Sequence, residues 1–253
     1  MQGPKSSPSE MDLTRQTLSI VIPAFNEARA MPVAMEAITR YLDGQGILQE
    51  YVLVDDRSTD NTLDVLESLT DGRNAVVLRN FQNMGKGFSI RRGMLEASGA
   101  YVLFTDADLS TPIEELGKML PYLADGYDVV IGSRRLPESE VVLHQAWYRE
   151  LLGEVFYKLI HTFFLSGIND INCGFKIFSK KASQELFRRQ TINGWGFDAE
   201  VLYLATKLGF RVKEVGVKWS DARDTKVKVA SAAINTLGEL VKIKINDLKK
   251  RYE

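Results

Sequence analysis

Short apolar runs rich in β-branched residues alternate along the chain with longer stretches whose apolar positions recur every three to four residues. The runs Leu18–Ile22, Tyr51–Val54, Ala75–Leu78, Tyr101–Thr105 and Asp128–Ile131 predict strands, and the stretches near Arg29–Leu42, Asp60–Leu69, Lys86–Ala97 and Pro112–Leu123 predict helices. Asp60 is placed to cap one helix, and Thr111-Pro112 sets a cap before a proline at the first helical position of another. Continuous apolar strands separated by helices read as an α/β fold with a largely parallel sheet covered on both faces. Ligands of such sheets bind beyond the carboxyl ends of the strands, so chemistry is expected in the polar residues that follow each strand.

The later half has a different rhythm. In residues 145–165, apolar pairs (Trp147-Tyr148, Leu151-Leu152, Val155-Phe156, Leu159-Ile160, Phe163-Phe164) alternate with more polar pairs, which predicts one amphipathic helix. Ile171–Phe178 and Val212–Trp219 read as strands with a helix at Asp198–Leu208 between them. A last helix, about Val227–Lys250, ends in Lys249, Lys250 and Arg251, cations suited to a helix C-terminus. Residues 1–16 are polar and rich in Pro and Ser and read as a disordered tail. No internal repeat or interior linker interrupts 17–253, which reads as a single domain.

Composition narrows the function. With 45% hydrophobic and 26% charged residues the chain is an ordinary globular protein, and disorder throughout is excluded. A net charge of -1 argues against a dedicated nucleic-acid binder. A single cysteine, Cys173, allows no internal disulfide, which fits a reducing compartment. Only His144 and His161 accompany it, so a His/Cys zinc site is excluded and any metal must be held mainly by carboxylates. No run reaches the ~18 apolar residues that span a bilayer, and the N-terminus lacks the apolar centre of a signal peptide. A cytoplasmic protein is expected, meeting a membrane, if at all, from its surface.

The strand ends carry Pro23-Ala24-Phe25-Asn26-Glu27, Asp55-Asp56-Arg57-Ser58-Thr59-Asp60, Asn80 with Asn83 and Gly85-Lys86-Gly87, Asp106-Ala107-Asp108, and Gly132-Ser133-Arg134. Asp106 and Asp108 flank a small residue at a strand end. Such a pair can hold Mg²⁺ or Mn²⁺, which take one or two carboxylates plus ligand phosphates and neutralise a departing phosphate. Equally, Asp108 can simply close a turn. Asp55 and Asp56 can cap the next helix with Ser58 or accept hydrogen bonds from a base or ribose. Gly85-Lys86-Gly87 lacks the spacing of a Walker loop; it reads as a helix-opening turn whose lysine can also steady a diphosphate.

These motifs resemble family 2 glycosyltransferases of GT-A fold. The resemblance rests on P-A-F-N-E at 23–27, D-D-R-S-T-D-N-T at 55–62, N-M-G-K-G at 83–87, D-A-D at 106–108 and G-S-R at 132–134. Asp170 with Ile171–Lys176, Gly196–Glu200, and Trp219 followed by Thr225-Lys226 look like the later motifs of dolichyl-phosphate β-glucosyltransferases. It extends in order over about residues 18–245. It implies inverting transfer of a sugar, usually glucose from UDP-glucose, to a polyprenyl-phosphate lipid. By position, Pro23, Ala24, Glu27, Asp56, Lys86, Asp106 and Ala107 would hold the nucleotide sugar, and Asp106 and Asp108 the metal. Arg134, Arg149 and Lys176 would face the acceptor phosphate. A phosphate monoester is already anionic and needs cations more than a base; arginine grips it with two bonds.

The chain departs from that pattern in places. Residues 1–16 do not read as an N-terminal membrane helix, the 219–226 loop has no glycine and has Thr225 where serine is usual, and Ser110 stands where the mannosyltransferase branch has glutamine. A GDP-mannose-dependent mannosyltransferase is therefore the weaker assignment. A second alternative is transfer to a sugar or protein hydroxyl with Asp198 as catalytic base. Nucleotidyltransferases carry a Gly- and Arg-rich first loop that Pro23–Glu27 lacks, and a binding-only module would not need the carboxylates. The acceptor's lipid tail leads to the expectation of peripheral attachment to the cytosolic face of a membrane. Residues 145–165 would insert their apolar face, and Lys242, Lys244, Lys249, Lys250 and Arg251 would attract anionic lipid. The same apolar face can instead pack on the core or form a homo-oligomer.

Overall fold

The computed structural model describes residues 17–143, 167–220 and 229–253. The first half forms β1 (Thr17–Ala24), α1 (Ala30–Gly44), β2 (Leu48–Asp55), α2 (Thr62–Thr70), β3 (Ala75–Arg79), α3 (Lys86–Glu96) and β4 (Tyr101–Thr105). A 3₁₀ turn (Ile113–Glu115) leads into α4 (Leu116–Ala124), then β5 (Val129–Ser133) and β6 (Glu140–Leu143). After these come β7 (Phe175–Ser179), α5 (Lys180–Arg189), α6 (Phe197–Lys207), β8 (Val212–Gly216), β9 (Lys218–Ser220) and α7 (Val229–Leu248). The amphipathic stretch 145–165, Arg149, Thr225-Lys226 and the tail 1–16 lie outside the described residues.

Seven strands form one sheet in the order β3-β2-β1-β4-β7-β5-β8. β1 pairs in parallel with β2 and β4, β2 with β3, and β5 with β8. β7 is wedged between β4 and β5, antiparallel to both. This reversal shapes the site: β7 starts where its neighbours end, pairing Phe175 with Thr105 and Lys176 with both Phe104 and Ile131. Its N-terminal end thus joins the carboxyl ends of the parallel strands.

Strand side chains alternate between faces, and both faces are covered. Leu18, Ile20, Ile22, Leu53, Leu103 and Ile177 pack with Met31, Met35 and Ile38 of α1, Leu66 of α2 and Met119 of α4. Val21, Val52, Val54, Phe104, Ile131 and Phe178 pack on the other side with Ile90 and Met94 of α3, Leu186 and Phe187 of α5, and Leu202 of α6. Burying one such side chain contributes about 1.5–3 kcal/mol, so these two layers hold the strand ends in fixed relation.

Several expectations are corrected in detail. The strand expected over Ile171–Phe178 begins at Phe175; Val212–Trp219 is two strands, β8 in the large sheet and β9 paired in parallel with β6. Pro112 precedes the 3₁₀ turn with ψ 146° instead of occupying a first helical position. Asp60 does serve the start of α2, its Oδ1 accepting from the Thr62 N–H at 3.0 Å.

Candidate active site

The first wall of the cleft is tied together by the loops after β1 and β2. Asn26 adopts left-handed backbone, φ 58°, and its Oδ1 accepts from the N–H groups of Thr59 (2.8 Å) and Asp60 (3.3 Å). The Glu27 N–H donates to Thr62 Oγ1 at 2.8 Å, and its carbonyl accepts from Ala30 and Met31 at the start of α1. Ala24 is buried and Pro23 half-buried at this edge.

Asp55 and Asp56 both turn inward, and neither caps α2. Asp55 Oδ1 accepts from the Ser58 N–H at 3.0 Å, while Oδ2 faces Arg79 Nε at 3.4 Å. The Asp56 carboxylate accepts from Asn80 Nδ2 (2.7 Å), the Met84 N–H (2.7 Å) and the Gly85 N–H (2.9 Å). It thereby fastens the Asn83–Gly85 loop, and with it the start of α3. Gly85 needs its φ of 94° to make this turn.

Lys86, the first residue of α3, reaches Asp106 Oδ1 at 2.7 Å. Burial alone would lower the lysine's pKa; the carboxylates of Asp106 and then Asp198 outweigh it and raise it. Asp106–Leu109 forms a tight turn in which Ala107 is buried and Leu109 has φ 46°. Asp108 Oδ1 accepts from the Ser110 N–H at 2.9 Å, so it does close a turn. It also keeps contact with solvent. Desolvation among the cleft walls, then the Asp106 carboxylate, raises its pKa.

A Cβ on Gly174 would collide with the Asp106 carboxylate, so the start of β7 leaves room for that carboxylate only because it is glycine. A small recess follows, lined by Thr105, Asp106, Ser110, Thr111, Gly174 and Trp219. Among the described residues no third His, Cys, Asp or Glu completes a metal-holding cluster here. Two carboxylates of hard oxygen fit an Mg²⁺ or Mn²⁺ ion whose remaining positions go to ligand phosphates and water.

The far wall holds two more ion pairs. Arg134, just after β5, donates from Nε (2.6 Å) and Nη2 (2.8 Å) to the two oxygens of Asp170, and its backbone N–H adds a third bond at 2.9 Å. Its guanidinium lies 5.2 Å from the Trp219 ring centroid. Asp170 is 2% exposed and Arg134 26%, and the Nη1 group stays outside this pair. Burial alone would raise the Asp170 carboxyl; the guanidinium overcomes this and lowers it.

Lys176 does not open onto the cleft. Its side chain is 1% exposed, and Nζ donates to Asp198 Oδ1 and to the Cys173 carbonyl, each at 2.6 Å. Asp198, 7% exposed, has its pKa raised by burial, which Lys176 and Lys86 only partly offset. Cys173 is buried below them, its thiol pushed up to about 11, mainly by burial.

Of the expected site residues, the structure gathers Pro23, Ala24, Glu27, Asp56, Lys86, Asp106, Ala107, Asp108, Arg134, Lys176 and Asp198 at one sheet edge. Arg149 lies outside the described residues. Two residues there escaped sequence reasoning. Trp195, 45% exposed, holds its ring centroid 5.2 Å from Lys86 Nζ; glycine on both sides was the available signal. Glu239, on α7, bonds the Gly196 N–H at 2.7 Å, a pairing that no local pattern announces.

Solved structures share this architecture. Glucosyl-3-phosphoglycerate synthase from Mycobacterium tuberculosis, in complex with Mn²⁺, UDP and glucosyl-3-phosphoglycerate, matches with a TM-score of 0.70 at 19% identity, over 96% of this chain and 86% of that one. Mannosyl-3-phosphoglycerate synthase from Rubrobacter xylanophilus matches at 0.70 and 19%, over 95% and 78%. The fold is therefore the GT-A fold of glycosyltransferases. The profile of Glycosyl transferase family 2 matches residues 19–187, and the chain belongs to that family. It is 30% identical over 244 residues to the dolichyl-phosphate beta-glucosyltransferase of Dictyostelium discoideum, covering 91% of this chain and 75% of that protein. The Homo sapiens protein of the same name is 31% identical over 234 residues, with 87% and 72% covered.

Proposed function

We propose that the protein transfers glucose, with inversion, from UDP-glucose to a dolichyl or other polyprenyl phosphate on the cytosolic face of a membrane. The observation that carries this reading is the contrast between Asp198 and Arg134. Asp198, the carboxylate placed to serve as a base, is buried and paired with Lys176, whereas Arg134 stands in the wall partly open to solvent. A hydroxyl acceptor needs a base in reach; a phosphate already carries its charge and needs a cation. The names of the relatives above support the same acceptor and sugar, and the UDP and Mn²⁺ of the solved neighbour support the donor and a divalent ion.

In this reading an acceptor phosphate oxygen forms a bond to C1 of glucose while the bond from C1 to the β-phosphate oxygen of UDP breaks. The electron pair leaves with UDP and no proton has to move. Asp106 and Asp108 would hold Mg²⁺ or Mn²⁺, which when bound supplies positive charge to the leaving diphosphate. Lys86, fixed by Asp106, adds charge at the same end, and the Pro23–Glu27 and Asp56 loops wall the nucleotide. Arg134 presents the acceptor's phosphate with a planar donor group, and Lys176 neutralises the buried Asp198 beneath.

The lipid tail requires the cleft to approach a headgroup plane. Among the described residues no helix is long and apolar enough to cross a membrane. α7, however, exposes Leu237, Val241, Ile245 and Leu248 on one stripe, with exposed Lys242 and Lys249 beside it. That is the pattern of a helix lying in the interface.

The test is to incubate purified protein with Mg²⁺ or Mn²⁺, a panel of nucleotide sugars, and either a short polyprenyl phosphate or its free alcohol. UDP release is expected with UDP-glucose and the phosphate alone. Excess EDTA should abolish it, and Asp108→Asn should lower it at least about 10²-fold, as for loss of a main charge-stabilising group. Equal turnover with the alcohol would overturn the phosphate acceptor, and full activity in EDTA would overturn the metal.

A further inference from the structure

The loop between α5 and α6, residues 190–196, is backed by one carboxylate from the helix that follows it and one from the distant α7. Glu200, fully buried, accepts from the Thr191 N–H (2.9 Å), Thr191 Oγ1 (2.6 Å) and the Ile192 N–H (2.8 Å) and fixes its first half. Its second half is held from α7. Glu239 Oε2 accepts from the Gly196 N–H at 2.7 Å, and a Cβ on Gly194 would collide with the Glu239 carboxylate. The carboxylate therefore fills the space that Gly194 leaves, at the N-terminus of α6, where the helix dipole favours negative charge.

The opposite side of the same loop supports the start of α3. The Phe88 N–H donates to the Asn193 carbonyl at 3.1 Å, and a Cβ on Gly87 would come within 2.8 Å of the Gly194 carbonyl. Trp195 stands between Gly194 and Gly196, its ring against Lys86 Nζ, and Lys86 is bonded to Asp106. A continuous path of contacts thus runs from Glu239 through Gly194–Gly196 and Trp195 to the Lys86–Asp106 pair.

We propose that Glu239 is a positioning residue for the donor end of the cleft: it holds Trp195 against Lys86 and so keeps the ammonium confined where a nucleoside diphosphate binds. This rests on the reading of the cleft as a nucleotide-sugar site. Loss of outer partners that orient a site typically costs roughly 10–100-fold in affinity or activity. Arg134 stands on another wall, after β5, so the acceptor side should be spared.

The experiment is calorimetric titration of UDP with Mn²⁺ into the full-length protein and its variants, alongside donor and acceptor KM. Glu239→Ala should weaken UDP and raise donor KM about tenfold, leaving acceptor KM unchanged. Glu239→Gln keeps an oxygen for the Gly196 N–H and should retain most of the affinity. Gly194→Ala displaces the carboxylate while leaving Glu239 itself in the sequence, and should reproduce the defect, which keeps the test open if Glu239→Ala folds poorly. Tyr203→Phe removes a different α6–α7 bond, Tyr203 Oη to Asp247 at 2.6 Å, and should lower thermal stability without changing UDP affinity. In a Trp195→Ala background, Glu239→Ala should cost little more. No UDP binding by the wild type would overturn both the reading of the cleft and this inference. Wild-type binding that Glu239→Ala and Gly194→Ala leave intact, or an equal loss in Tyr203→Phe, would overturn the inference alone.

Discussion

Arg134 shows why a single residue has to be read with its partner. Its two bonds to Asp170 are made at the edge of the cleft, so the guanidinium that holds the wall is also the one proposed to offer charge to an acceptor. Arg134→Ala would therefore do two things: remove the phosphate's proposed partner and leave Asp170 buried without its counter-ion. Breaking a buried pair on one side is costly. Arg134→Lys keeps a charge and loses the planar fork. If Arg134 serves the acceptor, Arg134→Lys should stay folded, bind UDP as the wild type does, and raise the KM for polyprenyl phosphate about tenfold or more, in line with the loss of a two-bond charged contact. Unchanged acceptor KM in folded Arg134→Lys would reduce Arg134 to a wall residue.

At the scale of elements, α7 combines three surfaces. Leu240 and Ile243 are buried, Glu239 reaches inward to the 190–196 loop, and Leu237, Val241, Ile245 and Leu248 face out. The exposed positions from Leu237 to Lys249 include Lys242 and Lys249 and no acidic side chain, which suits anionic lipid, at about 1 kcal/mol per basic residue near the surface. Flotation with anionic liposomes should carry the wild type, and the Val241→Asp/Ile245→Asp double variant should stay behind with unchanged circular dichroism. Salt should weaken binding only in part, because apolar contact survives screening. A folded double variant that floats like the wild type would assign this face to something other than lipid.

The elements also mark how far the sequence was legible. β1, β2, β3 and β4 stood out because their runs are short, mainly apolar and rich in β-branched residues, and helices α1 and α3 because their apolar positions recur at helical spacing. The direction of β7 was not legible, since alternation reports a strand and says nothing of its neighbours. α5 was missed because half of Lys180–Arg189 is charged and it buries only Ala182, Ser183, Leu186 and Phe187; Ser179, whose side chain accepts from the Ala182 N–H, was its one start signal. In the candidate site, the strand-end motifs come together at one sheet edge, but chemistry alone does not say which cation keeps contact with solvent. Lys176 looked as available as Arg134 until the reversed β7 placed it under Phe104 beside Asp198.

The whole molecule carries opposed charges beneath the cleft, and this has a consequence for acid stability. Asp170 has its carboxyl pKa lowered by Arg134, while Asp198 has its own raised by burial. Unfolded, both titrate near ~3.9. For Asp170 the folded chain holds fewer protons than the unfolded chain between the two pKa values. Its contribution is therefore complete above the unfolded value and is lost as pH falls through the folded one. Asp198 acts in the opposite sense: the folded state holds its proton longer, so its penalty grows as pH rises from the unfolded value through the folded one. The acid limb of the wild type mixes these two slopes, and Asp170→Asn separates them. At neutral pH the variant should be less stable, by less than the ~3–5 kcal/mol of a fully buried broken pair, because Arg134 keeps part of its hydration. The gap should hold steady well above the unfolded carboxyl value of ~3.9 and shrink as pH falls through it, because the unfolded wild type then takes up a proton that the folded state, with its lowered carboxyl, still excludes. Urea unfolding of both proteins across that range measures it. A gap that stays constant to pH 3 would mean that Asp170 supports the wall by shape and hydrogen bonding, with its charge contributing nothing to the fold; a gap that widens would reverse the assigned direction of its shift.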